Sequence, residues 1–431
     1  MSGPRSVTVS TGHMLPPPSA NGRGVSSDAH LGLADEDRAI IEQVRRFRQK
    51  VMPARTIEHD RDATFPSDNF ADLHRMKLLE LSIPKEYGGR GYGLRNRLLV
   101  EIMVTEELSK ACSSTGQGFH NHVFPLEMLW MIGNEEQQTL FYRDVIDNGA
   151  VIGGWASEGP GNKTAFEMKT RVKKVDGGYL LNGEKFFSTN SGGATWGQVW
   201  GHLDGEAPSA DNLYIAMVRM DQDGVQQLHD WDPLGQRATT SGTTRYKDVF
   251  VPDAHMMGAG GAYYDNPLIG AFFQIGWAAV YTGIAGGALE KTIELAQSAR
   301  PWGETEFERA IDDPYQQYEI ANMSIAVEAS RLLLYRAATL LEAASHDFDL
   351  RPEAQTEVYR AKVMATETAL DVSSRLFQVA GARAATKAPA TGIDIFWRNA
   401  RTFTLHDPVN YRRQRVGRYV LGVEDPPIGW Y

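Results

Sequence analysis

The chain has 431 residues, 42% hydrophobic and 23% charged, the composition of a soluble globular protein of two or three domains. Its 44 Lys+Arg against 54 Asp+Glu give a net charge of -10, which argues against a nucleic-acid binder, because phosphate neutralisation needs a basic surface. One cysteine, Cys112, excludes an intrachain disulfide and a cysteine zinc site, and fits a reducing, cytoplasmic setting.

Residues 1–33 are rich in Ser, Gly and Pro, lack an apolar core of signal-peptide length, and read as a disordered tail. A helical region follows over 34–148. Ala34–Val51 has an acidic first turn and a basic last turn, matching the helix dipole. Phe70–Leu81, Arg97–Lys110, Val123–Met131 and Glu135–Asp147 carry apolar residues at helical spacing. Over 149–255 the texture becomes short and β-rich, with Met168–Val175, Gly178–Leu181, Val199–Leu203, Leu213–Arg219 and Thr244–Val251 separated by turns such as Asp176-Gly177-Gly178. This predicts an antiparallel β-domain.

Residues 265–421 are helical again, in long segments Leu268–Arg300, Gln316–Ala344 and Ala354–Gly381 and a last one over Pro408–Leu421, which suggests a bundle; 422–431 form a tail. Asn266–Leu289 carries no charge and is long enough to span a bilayer, but Gln274 and five Gly favour a helix buried in a bundle or subunit interface over a membrane span. The fold class is therefore α+β, multidomain: helical region, β-domain, helical bundle.

A metal-ligand cluster, a P-loop, a dinucleotide glycine fingerprint and a serine nucleophile elbow are all missing from the sequence. Gly258-Ala-Gly-Gly261 follows the last strand and reads as a flexible loop. Near the end, Arg398 to Arg418 holds six Arg and one acid, Asp407, a basic cluster that suits a bound anion as well as a solvated face. Pro408 disfavours helix at Asp407, so the His406-Asp407 pair should sit on a turn between helices.

The order of domains resembles the acyl-CoA dehydrogenase superfamily over nearly all of 35–431. Gly183-Glu-Lys-Phe-Phe-Ser-Thr-Asn190 is similar to that family's strand motif beside the flavin, Ala156-Ser-Glu-Gly159 to its turn, and Val249-Phe-Val-Pro252 to its closing strand. The sequence is more similar still to the flavin-dependent monooxygenase branch, the dibenzothiophene and dimethylsulfone monooxygenase group. The segments that carry this are Trp231-Asp-Pro-Leu-Gly-Gln-Arg237 with Ser241-Gly242, Ala299-Arg-Pro-Trp302, Asp313-Pro314, Phe396-Trp-Arg-Asn-Ala-Arg401, Leu405-His-Asp-Pro408 and the final Pro-Pro-Ile-Gly-Trp-Tyr431.

The resemblance implies that reduced FMN from a separate NAD(P)H-flavin reductase reacts with O2, and that a flavin C4a-hydroperoxide oxygenates a small apolar organosulfur, aromatic or amine substrate. It implies a homotetramer, with neither membrane nor metal. Ser157 and Thr189 become hydrogen-bonding candidates at the isoalloxazine edge, and Phe187 and Trp231 apolar walls. Arg300 and Arg383, with Gln378, become phosphate-side ligands, and Arg383 favours FMN over FAD. His406 would lie near the reactive edge, with Thr189 and His122 as further catalytic candidates and His120, Asn121 and Phe403 on the substrate side. Phe403 stands where the branch often has a second His. Asp407 stands where many dehydrogenases place a catalytic Glu, which keeps a FAD-dependent acyl-CoA dehydrogenase as the alternative; a non-catalytic scaffold is a third reading.

Overall fold

The computed structural model of the chain describes residues 28–159, 167–257, 266–386 and 391–428, without the side chains of residues 29, 30 and 383–385. Residues 1–27 of the expected tail, the Gly258–Gly261 loop and the last three residues lie outside the described residues. The end of the tail departs from the expected disorder. Asp28–Leu31 forms a 3-10 turn, Leu33 is buried, and Asp28 pairs with Arg45 and, at 3.5 Å, with Arg331.

Six helices open the fold: α1 (Asp35–Lys50), α2 (Met52–Asp62), α3 (Ser67–Arg75), α4 (Leu98–Ala111), α5 (Ser113–Ile132) and α6 (Glu135–Asn148). In α1 the Asp37 carboxylate accepts the Ala34 N–H at 2.9 Å, while Ile40, Ile41 and Val44 enter the core. Helix α3 stops short of the expected Leu81, because Lys77 takes φ 60. Helix α5 begins ten residues before the expected Val123 and continues through Pro125. It is buried from Ser113 to Leu129, and that packing overrides the proline's missing N–H and the poor propensity of Gly116 and Gly118.

Among the described residues, eight strands form one sheet: β1 (Ile152–Trp155), β2 (Arg171–Val175), β3 (Gly178–Lys185), β4 (Trp196–Leu203), β5 (Leu213–Arg219), β6 (Val225–Gln227), β7 (Thr244–Pro252) and β8 (Met256–Met257). The order is β6-β7-β3-β2-β4-β5-β8, with β1 also paired to β4. Most pairings are antiparallel, as expected, but β1 and β2 both run parallel to β4, so the sheet is mixed.

The bundle consists of α7 (Ile269–Ser298), α8 (Pro314–His346), α9 (Arg351–Ala380), α10 (Ile393–Phe403) and α11 (Val409–Val420). Helix α7 is long and apolar enough to cross a membrane, and its most apolar stretch is wholly buried inside the protein. Gly276, Gly283 and Gly287 let α4 and α5 approach it; a Cβ at Gly276 would lie 2.0 Å from the His120 ring, and one at Gly287 2.1 Å from the Lys110 carbonyl.

Beside this apolar seam runs a chain of buried charges. Glu107 meets Arg48 at 2.5 Å and Lys110 at 3.0 Å; Arg48 reaches Glu290 of α7 at 2.7 Å; Glu106 meets Arg331 of α8 at 2.9 Å and accepts the Tyr335 hydroxyl at 2.6 Å. Helices α1, α4, α7 and α8 are thus tied together. Burial alone would raise the Glu107 carboxyl, but Lys110, Arg48 and Arg45 outweigh it and hold it well below the usual carboxylate range. A depressed folded value means the stabilisation is complete above the unfolded value of about 4.3 and fades as pH falls below it. Glu107→Gln should therefore cost about 3–5 kcal/mol at pH 7 by stranding buried cations. The deficit should shrink in urea titrations repeated at low pH.

His122 corrects an expectation. It is buried, its Nε2 lies 3.0 Å from the Leu79 carbonyl, and its Nδ1 accepts the Ile152 N–H at 3.0 Å. Both ring nitrogens serve the backbone, fixing α5 against the turn after α3 and the start of β1, and neither is left for substrate. His122→Phe should cost about 2–4 kcal/mol through two stranded backbone groups. Flavin affinity of the folded fraction should stay unchanged in a titration.

Candidate active site

Strand β3 runs into Phe186–Asn190, where Phe187 has φ 58 and Asn190 φ 75. Left-handed backbone at two non-glycine positions so close together is strained, and it turns the Phe187 ring outward, 55% exposed, 5.9 Å from the Trp231 ring. Trp231 is half-buried and donates its indole N–H to the Gln236 carbonyl at 3.0 Å. Ser157, just after β1, is exposed, and its carbonyl accepts the Phe186 N–H at 3.0 Å.

Thr189 is buried behind this face. Its carbonyl accepts from Trp155 Nε1 at 2.8 Å and Asn121 Nδ2 at 3.0 Å, so Asn121 steadies the strand instead of lining a substrate site. Its hydroxyl accepts from Gln117 Nε2 at 3.2 Å and lies 2.8 Å from Ser241 Oγ. Thr239 donates its proton to the Gln236 carbonyl, so Ser241 donates to Thr239 and Thr189 donates to Ser241, and the Thr189 hydroxyl has no proton left for a ligand.

Gln117 belongs to a buried relay that sequence reasoning missed. Gln236 Nε2 donates to Gln117 Oε1 at 2.7 Å, Ser113 Oγ donates to Gln236 Oε1 at 2.7 Å, Asn399 Nδ2 donates to Ser113 Oγ at 2.8 Å, and Asn399 Oδ1 accepts the Gln236 N–H at 2.7 Å. Gln236 takes φ 53 to enter it. Four consecutive hydrogen bonds thus connect α10 to Thr189. Gln236 and Asn399 both stand inside motifs quoted above, but residues so far apart in sequence give no signal that they meet.

An aromatic cluster also packs against α5. The His406 ring sits 5.6 Å from Phe273, 5.7 Å from Trp277 and 6.0 Å from Phe403. Phe403 packs edge-on against Trp277 and Tyr281 at 5.1 and 5.0 Å, and its carbonyl accepts the Tyr281 hydroxyl at 2.8 Å. The His406 ring has open surface yet is surrounded by protein. That burial, with Lys362 and Arg412 nearby, pushes its pKa down to about 4 against the pull of Asp407. The imidazole is neutral at neutral pH.

His120, expected on the substrate side, lies instead behind the wall. It is fully buried, 5.0 Å from the Trp277 ring and 5.5 Å from Phe272, with its Nδ1 3.6 Å from Glu101. Burial pushes His120 down to about 3 and Glu101 up to about 8, so both are neutral.

The His-Asp pair does sit on a turn, between Phe403 and Val409. Asp407 Oδ2 accepts from Arg412 Nε and Nη2 at 3.0 and 2.7 Å, and Oδ1 is 3.7 Å from Lys362 Nζ. Burial alone would raise Asp407, but Lys362, His406 and Arg412 hold it well below the usual carboxylate range. Such a carboxylate is a poor proton acceptor, which disfavours the dehydrogenase reading. Lys362 is itself buried, which pushes its ammonium down to about 8 despite Asp407.

The phosphate candidates stand apart. Arg300 is exposed just past the end of α7 and Gln378 is exposed near the end of α9. Arg383 lies in the 3-10 turn Gly381–Thr386, and its side chain is outside the described residues. Arg300 follows Trp277 by 23 residues, roughly 35 Å at the helical rise, and so lies far from the Trp277 ring.

Residues 34–148, 155–249 and 275–411 match the families described as the N-terminal, middle and C-terminal domains of acyl-CoA dehydrogenase. The chain is 33% identical over 404 residues to dibenzothiophene monooxygenase of Mycolicibacterium goodii, covering 90% of this chain and 95% of that one. It is 28% identical to a probable FMNH2-dependent monooxygenase, SfnC, of Pseudomonas putida, covering 87% and 93%. A solved structure of TdsC from Paenibacillus sp. A11-2 with FMN and indole superposes with a TM-score of 0.84 at 26% identity, covering 92% and 100%. The chain therefore belongs to the acyl-CoA dehydrogenase family, in the branch of the flavin-dependent monooxygenases.

Proposed function

We propose that the protein is the oxygenase of a two-component flavin monooxygenase, acting on a small apolar organosulfur, aromatic or amine substrate. One oxygen atom of O2 enters the substrate, the other leaves as water, and FMNH2 supplied by a separate NAD(P)H-flavin reductase is oxidised to FMN. The observation that carries this reading is the divided His-Asp pair. A neutral imidazole faces an aromatic cluster, while the neighbouring carboxylate is locked in ion pairs.

The residues fit FMN. Phe187 and Trp231 offer an uncovered aromatic wall and Ser157 an exposed hydroxyl, while Thr189, its proton given to Ser241, holds the wall from behind. Bound reduced FMN supplies the electrons that activate oxygen. His406 would offer a neutral N–H to the oxygen-bearing edge of the bound flavin, and Phe273, Trp277 and Phe403 would give a flat apolar substrate an aromatic backing.

Arg300, Gln378 and Arg383 then serve the phosphate end of a neighbouring subunit's FMN, in a homotetramer. Tyr315, Tyr318, Ile325 and Leu332, exposed at helical spacing along α8, support an assembly. Cys112, free and buried, suits the reducing cytoplasm.

The reading is tested by mixing the protein with anaerobically prepared FMNH2, isotopically labelled oxygen and a panel of flat organosulfur compounds. One labelled oxygen atom in the product is expected; bleaching of bound oxidised flavin by an acyl-CoA, without oxygenated product, would overturn it. His406→Phe should keep FMN affinity while lowering product formed per FMNH2 about tenfold, the worth of one hydrogen bond. In the unsubstituted protein that yield should show no inflexion between about pH 5.5 and 7.5, where an ordinary histidine titrates.

A further inference from the structure

Lys185 ends β3, and its side chain is completely buried, a rare place for an ammonium. Its Nζ donates to the Ala156 carbonyl at 3.0 Å and to Glu158 Oε1 at 3.0 Å, and lies 3.2 Å from Met168 Sδ. The next residue, Phe186, donates its N–H to the Ser157 carbonyl at 3.0 Å. Two consecutive residues on one strand thereby grip three consecutive residues after β1.

Glu158 completes the clasp. Its carboxylate also accepts the Lys169 N–H at 2.6 Å, the Thr170 N–H at 2.9 Å and the Thr170 hydroxyl at 2.6 Å, joining the start of β2 to the same point. Between the held Ala156 and Glu158, Ser157 is fixed through its backbone and exposed at its side chain. A buried ion pair seldom stabilises a fold better than apolar residues of equal volume. Its direct geometric consequence here is the orientation of Ser157.

We propose that Lys185 is a positioning residue for the flavin edge, its ammonium clamping Ala156 and Glu158 so that the Ser157 hydroxyl points at the ring. This rests on the reading of Ser157 as a flavin-edge donor. The charged groups that face Lys185 are the Glu158 carboxylate and the Arg171 guanidinium of β2. Burial pushes the ammonium down to about 8 against the attraction of Glu158, with Arg171 adding to the fall. Because the folded value lies below the unfolded one, the fold gains stability as pH rises from about 8 towards the unfolded value, and at pH 7 the group is the ammonium that pairs with Glu158.

The test uses hydrogen exchange of the flavin-free protein at pH 7, normalised for intrinsic exchange rates. Protection of the Phe186 amide at pH 7 should fall about tenfold in Lys185→Met, which lacks the donor to Ala156, and in Glu158→Gln, which lacks the counter-charge. Both variants should also shift the bound-flavin spectrum in the direction that Ser157→Ala shifts it. FMN titrations then separate two failures. A changed flavin spectrum in Ser157→Ala, with Phe186 protection unaltered in Lys185→Met and Glu158→Gln, overturns the role of Lys185 alone. An unchanged flavin spectrum and affinity in Ser157→Ala overturns the flavin-edge reading, and the proposal with it. Should Lys185→Met fail to fold, Glu158→Gln still decides.

Discussion

The burial of α7 is the constraint on which the remaining architecture depends. A helix without charge from Ile269 to Leu289 must be covered on every side, and it is buried continuously over that span. Its glycines accept α4 and α5 at close range, and these two helices carry the charge chain and the strand-holding amides respectively. The same helix contributes Phe273 and Trp277 to the aromatic cluster, and Arg300 follows its far end. Core packing and site placement are therefore one problem here. A change that shifts α7 along its axis would move the aromatic cluster and the charge chain together.

The β-domain face stores strain where the bundle stores apolar area. Phe187, Asn190, Gln236 and Thr240 all have positive φ, each costing on the order of 1–3 kcal/mol. The hydrogen bonds that converge on Thr189 and Gln236 offset this, because each is buried and connects a different element. The result is a rigid wall that holds an aromatic ring outward before any ligand arrives. That pre-organisation suits a flat cofactor delivered reduced and briefly from elsewhere.

The sequence made the periodic elements legible and left their junctions obscure. Strand β5 runs from Leu213 to Arg219, as its β-branched and aromatic residues between turns predicted. Helix α5 was read at half its length, because glycines and Pro125 mimic loop chemistry in a segment that tertiary burial keeps helical. In the site, Phe187, Trp231 and His406 were visible within motifs. Gln117 and Lys362 were not, and Lys185, though inside the Gly183–Asn190 motif, carried no signal of its role, since the importance of all three comes from burial and from partners on other elements. His120, Asn121 and His122 show the reverse error. Adjacent on one turn of α5, they point respectively to the Trp277 wall, the Thr189 carbonyl and the backbone beyond α3. One run of polar letters thus covers three separate structural duties.

His406 and Asp407 show how environment, not residue type, assigns a role. The two side chains are adjacent on one turn, yet the aromatic rings around His406 keep it uncharged while Arg412 and Lys362 keep Asp407 charged. Removing a proton from carbon requires a carboxylate with affinity for that proton, and Asp407 has surrendered that affinity to its cations. Donating a hydrogen bond to a developing oxyanion requires a neutral or cationic N–H, which His406 retains. The turn therefore presents an uncharged imidazole next to a carboxylate already committed to its cations.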